Sequence, residues 1–281
     1  MTLLNAILLG IIQGLTEFLP ISSTAHLTLA GKFLGLIDPA QPEEWTAFIA
    51  IIQLGTVAAV LLYFVKDLMA IAGDLARDFR NKKDSGGPRW SLNSRLAGQI
   101  LIGTIPVVVI GLVFRKIIEG YLTKEISTIA TSMILLALVL LWAEKVGKRS
   151  RNQNQSTWQD GLLIGVAQAA ALIPGSSRSG TTITAGLFLG FQRETAARFS
   201  FLLSIPAVLA SGLFELYKIR HEMGHIGILP TAVATLVSGV VGYASIAFLL
   251  RYLKTHTTYV FFFYRVGLGI LLWGLYLAGT I

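Results

Sequence analysis

The chain has 281 residues, 54% hydrophobic and only 14% charged, with a net charge of +8 and no cysteine. Soluble domains carry about 25% charged residues, so a mean hydropathy of +0.68 excludes an ordinary soluble enzyme, a disordered chain and a collagen-like fibre. Without cysteine there is no disulfide framework, thiolate nucleophile or cysteine-ligated metal.

In chain order, the first apolar region runs from Thr2 to Leu36 and breaks at Leu19-Pro20-Ile21-Ser22-Ser23-Thr24. Met1 to Ile12 has no basic n-region or small-residue cleavage site, so it reads as a membrane segment, not a leader. Spans follow at about 45–65, 96–114 and 126–143. Each matches the roughly 20 residues that a helix needs to cross hydrocarbon. The charge-rich Lys66 to Arg95 reads as a solvated loop with an interfacial helix. A second apolar region, Gly161 to Gly190, breaks at Ile173-Pro174-Gly175-Ser176-Ser177-Arg178-Ser179-Gly180. Three more spans lie at about 199–217, 229–250 and 259–280.

Each half of a broken region is too short to cross comfortably alone, which predicts re-entrant hairpins. Proline stops one half-helix and serine caps the next. The two regions also resemble each other: Gly10, Gln13, Pro20 and Ser22-Ser23 match Gly165, Gln168, Pro174 and Ser176-Ser177. Three spans separate them, an odd number, so the second hairpin enters from the opposite face. The expected architecture is an all-α polytopic membrane protein, one membrane domain over 1–281. It holds two inverted-topology repeats (about 1–150 and 151–281), each a re-entrant hairpin plus three transmembrane helices. Paired interrupted segments of this kind point to a binding site near the midplane.

Charge orients the layout. Loops 66–95, 145–160, 191–198 and 251–258 carry 15 of the lysines and arginines, against six on the other face. The positive-inside rule makes the first face cytoplasmic and accounts for the net charge without nucleic acid. Both termini and the first hairpin's mouth then lie outside.

The first hairpin holds one acid, Glu17, and the second one formal charge, Arg178. An ionisable group in the bilayer costs about 2.5–3.5 kcal/mol on insertion scales and is a functional candidate by default. Polar residues cluster around both: Gln13, Thr16, Ser22, Ser23, Thr24 and His26 on one tip, Ser176, Ser177, Ser179, Thr181 and Thr182 on the other. Two half-helix N-termini and a guanidinium fork suit a phosphate. Ser23 and His26 are three residues apart, on one helix face, so imidazole can reach the hydroxyl or the departing phosphate. Glu17 can act as base, orient the histidine or hold a divalent cation.

Gln13-Gly14-Leu15-Thr16-Glu17-Phe18-Leu19-Pro20-Ile21-Ser22-Ser23-Thr24-Ala25-His26-Leu27 resembles the first signature of the undecaprenyl-diphosphate phosphatases, the bacitracin-resistance proteins. Pro174-Gly175-Ser176-Ser177-Arg178-Ser179-Gly180 resembles their second signature, and Arg198 to Pro206 the stretch that follows. The resemblance covers essentially the whole chain. It implies hydrolysis of undecaprenyl diphosphate to undecaprenyl phosphate and phosphate in the bacterial inner membrane, with magnesium or calcium as cofactor. The family's glutamate element lands on Gln13 and Glu17, its motif serine and histidine on Ser23 and His26, and its phosphate-binding arginine on Arg178, so that Glu17, Ser23, His26 and Arg178 are the expected catalytic residues. From the residues themselves, Glu17 is also the candidate metal ligand, and Gln13, Ser22, Thr24, Ser176, Ser177 and Ser179 are the candidate substrate ligands. One departure is Gln13, where many members carry glutamate, so a single motif carboxylate remains.

Other readings stand beside these. Glu17 could merely pair with Arg178, and Ser23 could be only a cap, with water as nucleophile. The serines of both tips are phosphate ligands or caps. Gln13 and Gln168 either bond backbone freed at the breaks or contact substrate. Arg265 is read as snorkelling to the cytoplasmic interface, and Arg198 as a charge at a helix end. His221, His225 and His256 fall in loops, where Gly224 and the lack of further ligands argue against a metal. The small residues from Gly239 to Tyr243 permit close helix contact, a homodimer included. A lipid-phosphate transporter using the same pocket is the rival function.

Overall fold

A computed structural model of the chain describes residues 1–38, 41–81, 90–114, 125–219 and 227–279. In chain order its helices are α1 (Leu3–Phe18), α2 (Ser23–Phe33), α3 (Pro42–Tyr63), α4 (Val65–Asn81), α5 (Leu92–Val113) and α6 (Ile126–Val146). They continue with α7 (Trp158–Ala169), α8 (Arg178–Phe188), α9 (Arg193–Ile219), α10 (Ile228–Thr255) and α11 (Tyr259–Leu277). Short 3-10 turns cover Gln153–Gln155 and Ala170–Leu172. Six of these helices (α3, α5, α6, α9, α10 and α11) are long and apolar enough to cross a membrane. The chain is a multi-pass, all-helical membrane protein, and α1–α2 and α7–α8 are its two broken hairpins.

Local chemistry sets the ends. Thr2 caps α1, and Ser91 caps α5 by accepting from the Ser94 N–H. Thr157 and Asp160 form a reciprocal capping box on α7. Pro106 and Pro206 sit inside α5 and α9, where membrane helices tolerate proline because neighbours satisfy the freed carbonyls.

The solvent inversion is plain. Leu62, Leu101, Val113, Leu236 and Phe263 are 65–72% exposed, while Gln13, Gln168, Thr182, Ser200, Ser238 and Arg265 are fully or almost fully buried. Apolar side chains face the lipid and polar ones the bundle interior.

Glycine lets the hairpins approach the spans. α1 lies along α10, where a Cβ on Gly10 would stand 2.6 Å from the Ala234 carbonyl oxygen. α7 lies along α5, where a Cβ on Gly103 would stand 2.6 Å from that of Gly161. α3 packs on α9 and α10, and α6 on α11. Gly239 and Gly242 face Gly55, Phe18 and Thr56 of the same chain. These two small residues of α10 make close helix contacts within the chain.

One end of the bundle gathers the charged connections. Buried Glu144 bonds Arg149, Arg193 and the Thr258 hydroxyl. Arg151 pairs with Asp160 at 2.6 Å and bridges to Phe191 through backbone hydrogen bonds. Arg198 pairs with Asp67 at 2.9 Å at this same end. α4 is helical within the stretch read as a solvated loop with an interfacial helix: Ile71 faces inward, Met69 and Phe79 outward, and Asp78 accepts from Ser94 Oγ at 2.7 Å and the Ser91 N–H at 2.8 Å. Lys82, Lys83, Arg89, His221 and His225 lie outside the described residues.

Candidate active site

The two breaks use one backbone device. After Leu19 and Pro20, Ser22 takes φ 76° and its hydroxyl caps α2 by accepting from the Ala25 N–H at 3.3 Å. After Ile173 and Pro174, Ser177 takes φ 67° and caps α8 by accepting from the Gly180 N–H at 3.2 Å. A non-glycine residue in this region costs about 1–3 kcal/mol and needs its surroundings to hold it. The capping geometry also corrects the register read from sequence. Ser22 corresponds to Ser177, not Ser176, because the residue that reverses the chain defines the match. Proline stands two residues before the cap in the first tip and three before it in the second, where Gly175 takes φ 86°.

The tips meet. Arg178 Nη2 lies 2.5 Å from Glu17 Oε1. Glu17 Oε2 accepts from Ser23 Oγ at 2.7 Å and from Gln13 Nε2 at 3.0 Å. Ser179 Oγ donates to the Leu19 carbonyl at 3.0 Å, a second strap between the tips. An acid, a hydroxyl and a guanidinium thus form one connected chain, built from residues 161 positions apart at its ion pair.

Beside that chain opens a cavity of about 600 Å³. Its polar end is lined by Glu17, Ser22, Ser23, Thr24, Ser177 and Arg178. The N-termini of α2 and α8 therefore border it, and their positive dipole ends favour an anion there. Val107, Val108 and Leu112 of α5 and Val208 and Phe214 of α9 supply an apolar wall. Gln53, Gln168 and Glu215 also border it.

Several predicted residues are engaged differently from their sequence reading. His26 does not bond Ser23: its Nδ1 lies 2.7 Å from the Ser22 carbonyl and its Nε2 2.6 Å from Tyr264 Oη. A carbonyl only accepts, so Nδ1 donates and Nε2 accepts from the tyrosine. Ser23 gives its proton to Glu17 instead. Ser179 uses its hydroxyl on the Leu19 carbonyl, and Ser176, fully buried, has no partner for its own among the described residues. Thr16 bonds the Ile12 carbonyl, and Thr181 and Thr182 that of Arg178. Gln13 bonds a side chain rather than freed backbone, leaving Oε1 without a partner. Among the described residues Gln168 has no partner for either amide atom, although it is fully buried at the cavity.

Arg265 overturns its reading outright. It is 0% exposed and donates from Nη2 to the Ser176 carbonyl at 2.9 Å and that of Gly175 at 3.2 Å. Snorkelling fails because this face of α11 packs on the second tip. The signal for it was present: an arginine six residues into an apolar span is rarely idle. Tyr264 and the cavity residues Gln53 and Glu215 gave no comparable sign.

The family model for Bacitracin resistance protein BacA matches residues 6–271. A protein named undecaprenyl-diphosphatase from Syntrophobacter fumaroxidans is 52% identical over 284 residues, covering 100% of both chains. One of the same name from Chloroherpeton thalassium is 51% identical, covering 97% of this chain and 96% of its own. Another from Myxococcus xanthus is 49% identical over 97% of this chain and 88% of its own.

Proposed function

We propose that this chain, which belongs to the bacitracin resistance protein BacA family, is a membrane phosphatase that hydrolyses undecaprenyl diphosphate to undecaprenyl phosphate and inorganic phosphate. It would thereby recycle the lipid carrier of peptidoglycan synthesis and confer bacitracin resistance. The observation that carries this reading is the linked Ser23–Glu17–Arg178 chain at the polar end of a cavity whose other wall is apolar. A diphosphate matches the first part and an isoprenoid tail the second.

The mechanism follows from which bonds a phosphate would replace. Arg178 pairs with Glu17, and a terminal phosphate would compete for the same guanidinium fork. Arg178 turning to the phosphate frees Glu17 Oε1. Ser23 Oγ then attacks the terminal phosphorus and its proton passes to Glu17 Oε2, already 2.7 Å away. The bond from phosphorus to the bridging oxygen breaks, and Glu17 passes its proton to the departing undecaprenyl phosphate, which restores the carboxylate. Glu17 then deprotonates a water that attacks the phosphoserine, that proton goes to the leaving Ser23 Oγ, and phosphate is released. Phosphoryl transfer asks mainly for positioning and charge neutralisation, which Arg178 and the helix ends supply. His26 acts one step removed, holding the Ser22 carbonyl and hence the first tip. Ser22, Thr24 and Ser177 border the phosphate, and the unpartnered amide of Gln168 is available to it.

A divalent cation, magnesium or calcium, fits the donor set modestly. Glu17 offers one carboxylate and Gln13 Oε1 a buried oxygen without a hydrogen bond. Among the described residues no three His, Cys, Asp or Glu side chains group together. That pattern suits a cation sharing most of its ligands with water and substrate phosphates. When bound, it supplies neutralisation of diphosphate charge.

The charge bias of the loops supports the bacterial inner membrane, with the Glu144 end cytoplasmic and the first hairpin's mouth outside. The reading is tested with detergent-purified protein, undecaprenyl diphosphate and phosphate detection, with and without chelator. No phosphate release under either condition overturns it, and label movement across liposomes without release favours a carrier. Near-wild-type turnover by Ser23→Ala would move the attack to water.

A further inference from the structure

The second tip rests on a buried cation that this chemistry leaves unused. Arg265 is fully buried, its Nε and Nη1 have no hydrogen-bond partner, and among the described residues no acid pairs with it. The neighbouring Ser176 hydroxyl is also without a partner. A Cβ on Gly180, in the first turn of α8, would stand 2.7 Å from Nη1, so glycine there makes room for the guanidinium.

Isolated buried charge is costly unless something compensates it. The two carbonyls that Nη2 reaches, those of Gly175 and Ser176, compensate it in part. They belong to the loop whose Gly175, Ser177 and Arg178 border the cavity. A trans peptide points its N–H opposite its C=O. With the Ser176 carbonyl on Arg265, the Ser177 N–H faces away from Arg265. The preceding residue on α11, Tyr264, meanwhile bonds His26 of the first tip. Two successive residues of one helix therefore grip both halves of the site.

We propose that Arg265 is a positioning residue for the diphosphate: it clamps the Gly175 and Ser176 carbonyls so that the Ser177 N–H is presented to the cavity, the Ser176 N–H being held by the Ile173 carbonyl, and its uncompensated charge draws the anion from behind the loop. The substrate in this statement rests on the function proposed above; the anion binding does not. Removing one pre-aimed donor from a comparable anion cradle lowers turnover about 100-fold or more.

The test uses the full chain in detergent, with Arg265→Gln and Arg265→Lys. Two quantities are read: kcat and KM for phosphate release from undecaprenyl diphosphate, and the thermal shift produced by inorganic pyrophosphate. Arg265→Gln is expected to lose about 100-fold in kcat/KM, chiefly in kcat, and to lose the pyrophosphate shift. Arg265→Lys keeps the charge but not the double clamp; it should keep the shift and lose about 10-fold. A glutamine variant with unchanged kinetics and shift overturns the proposal. So does a lysine variant with no pyrophosphate shift. If Arg265→Gln does not fold, the lysine variant decides: unchanged kcat/KM defeats the clamp. Wild-type protein that binds pyrophosphate through Arg265 but releases no phosphate from the lipid would sink the proposed function and leave this inference standing.

Discussion

The two hairpin tips share a backbone and divide the chemistry. Both turn at a serine of positive φ that caps the next helix. At the first position of that helix one tip carries Ser23 and the other Arg178. Nine residues before each cap stand Gln13 and Gln168. Four residues after each glutamine the first tip has Glu17 and the second Leu172. Gln13 consequently donates to a carboxylate, while Gln168 has no hydrogen-bond partner among the described residues. The same fold element thus presents an acid and a hydroxyl on one side and a cation with a free amide on the other. The two tips repeat one backbone device, and under the proposed function the side chains that differ would make the first the reacting tip and the second the holding tip.

Substitutions can break or sharpen that division. Arg178→Ala removes the holding tip's cation and should lower phosphate release by about 1,000-fold or more. A change confined to lipid-tail affinity would contradict its place at the phosphate. Glu17→Gln keeps the shape of the reacting tip but removes its proton acceptor. A loss of about 100- to 10,000-fold in kcat is expected, and turnover within a few-fold of wild type would assign the proton elsewhere. Gln168→Leu probes the freed amide. A lost hydrogen bond to a charged group is worth about 1.5–3 kcal/mol, so KM should rise roughly 10-fold or more with kcat little changed. If Gln13→Leu affects kcat more than KM, the two glutamines serve the two roles assigned to their tips. The smallest effect is expected for Ser179→Ala, which cuts the strap to the Leu19 carbonyl. A destabilisation of about 1 kcal/mol, read as a lower melting temperature in detergent, should accompany activity within several-fold of wild type.

Much of this was legible in the chain itself. Hydropathy located all six spans, because roughly 20 apolar residues can satisfy their backbone in lipid only as a helix. Proline followed by serine marked both breaks, and a lone acid and a lone arginine in apolar surroundings marked the tips. His26 illustrates the limit. Helical spacing placed it on the face of Ser23, yet Tyr264, far along the chain, takes its second nitrogen. Ser179, read as a phosphate ligand or cap, also donates to the Leu19 carbonyl of the other tip, a contact that no spacing along the chain foretells.

What the sequence determined by itself is therefore whatever depends on neighbours along the chain: spans, breaks, caps and the rarity of charge in hydrocarbon. Only the tertiary structure decided which face of α11 meets the second tip, and so turned Arg265 from a presumed interface residue into a buried clamp. The reason is geometric. Periodicity fixes the direction of a side chain about its own helix axis, but a buried donor's partner is set by which other helix lies in that direction, and that follows from packing across the whole bundle.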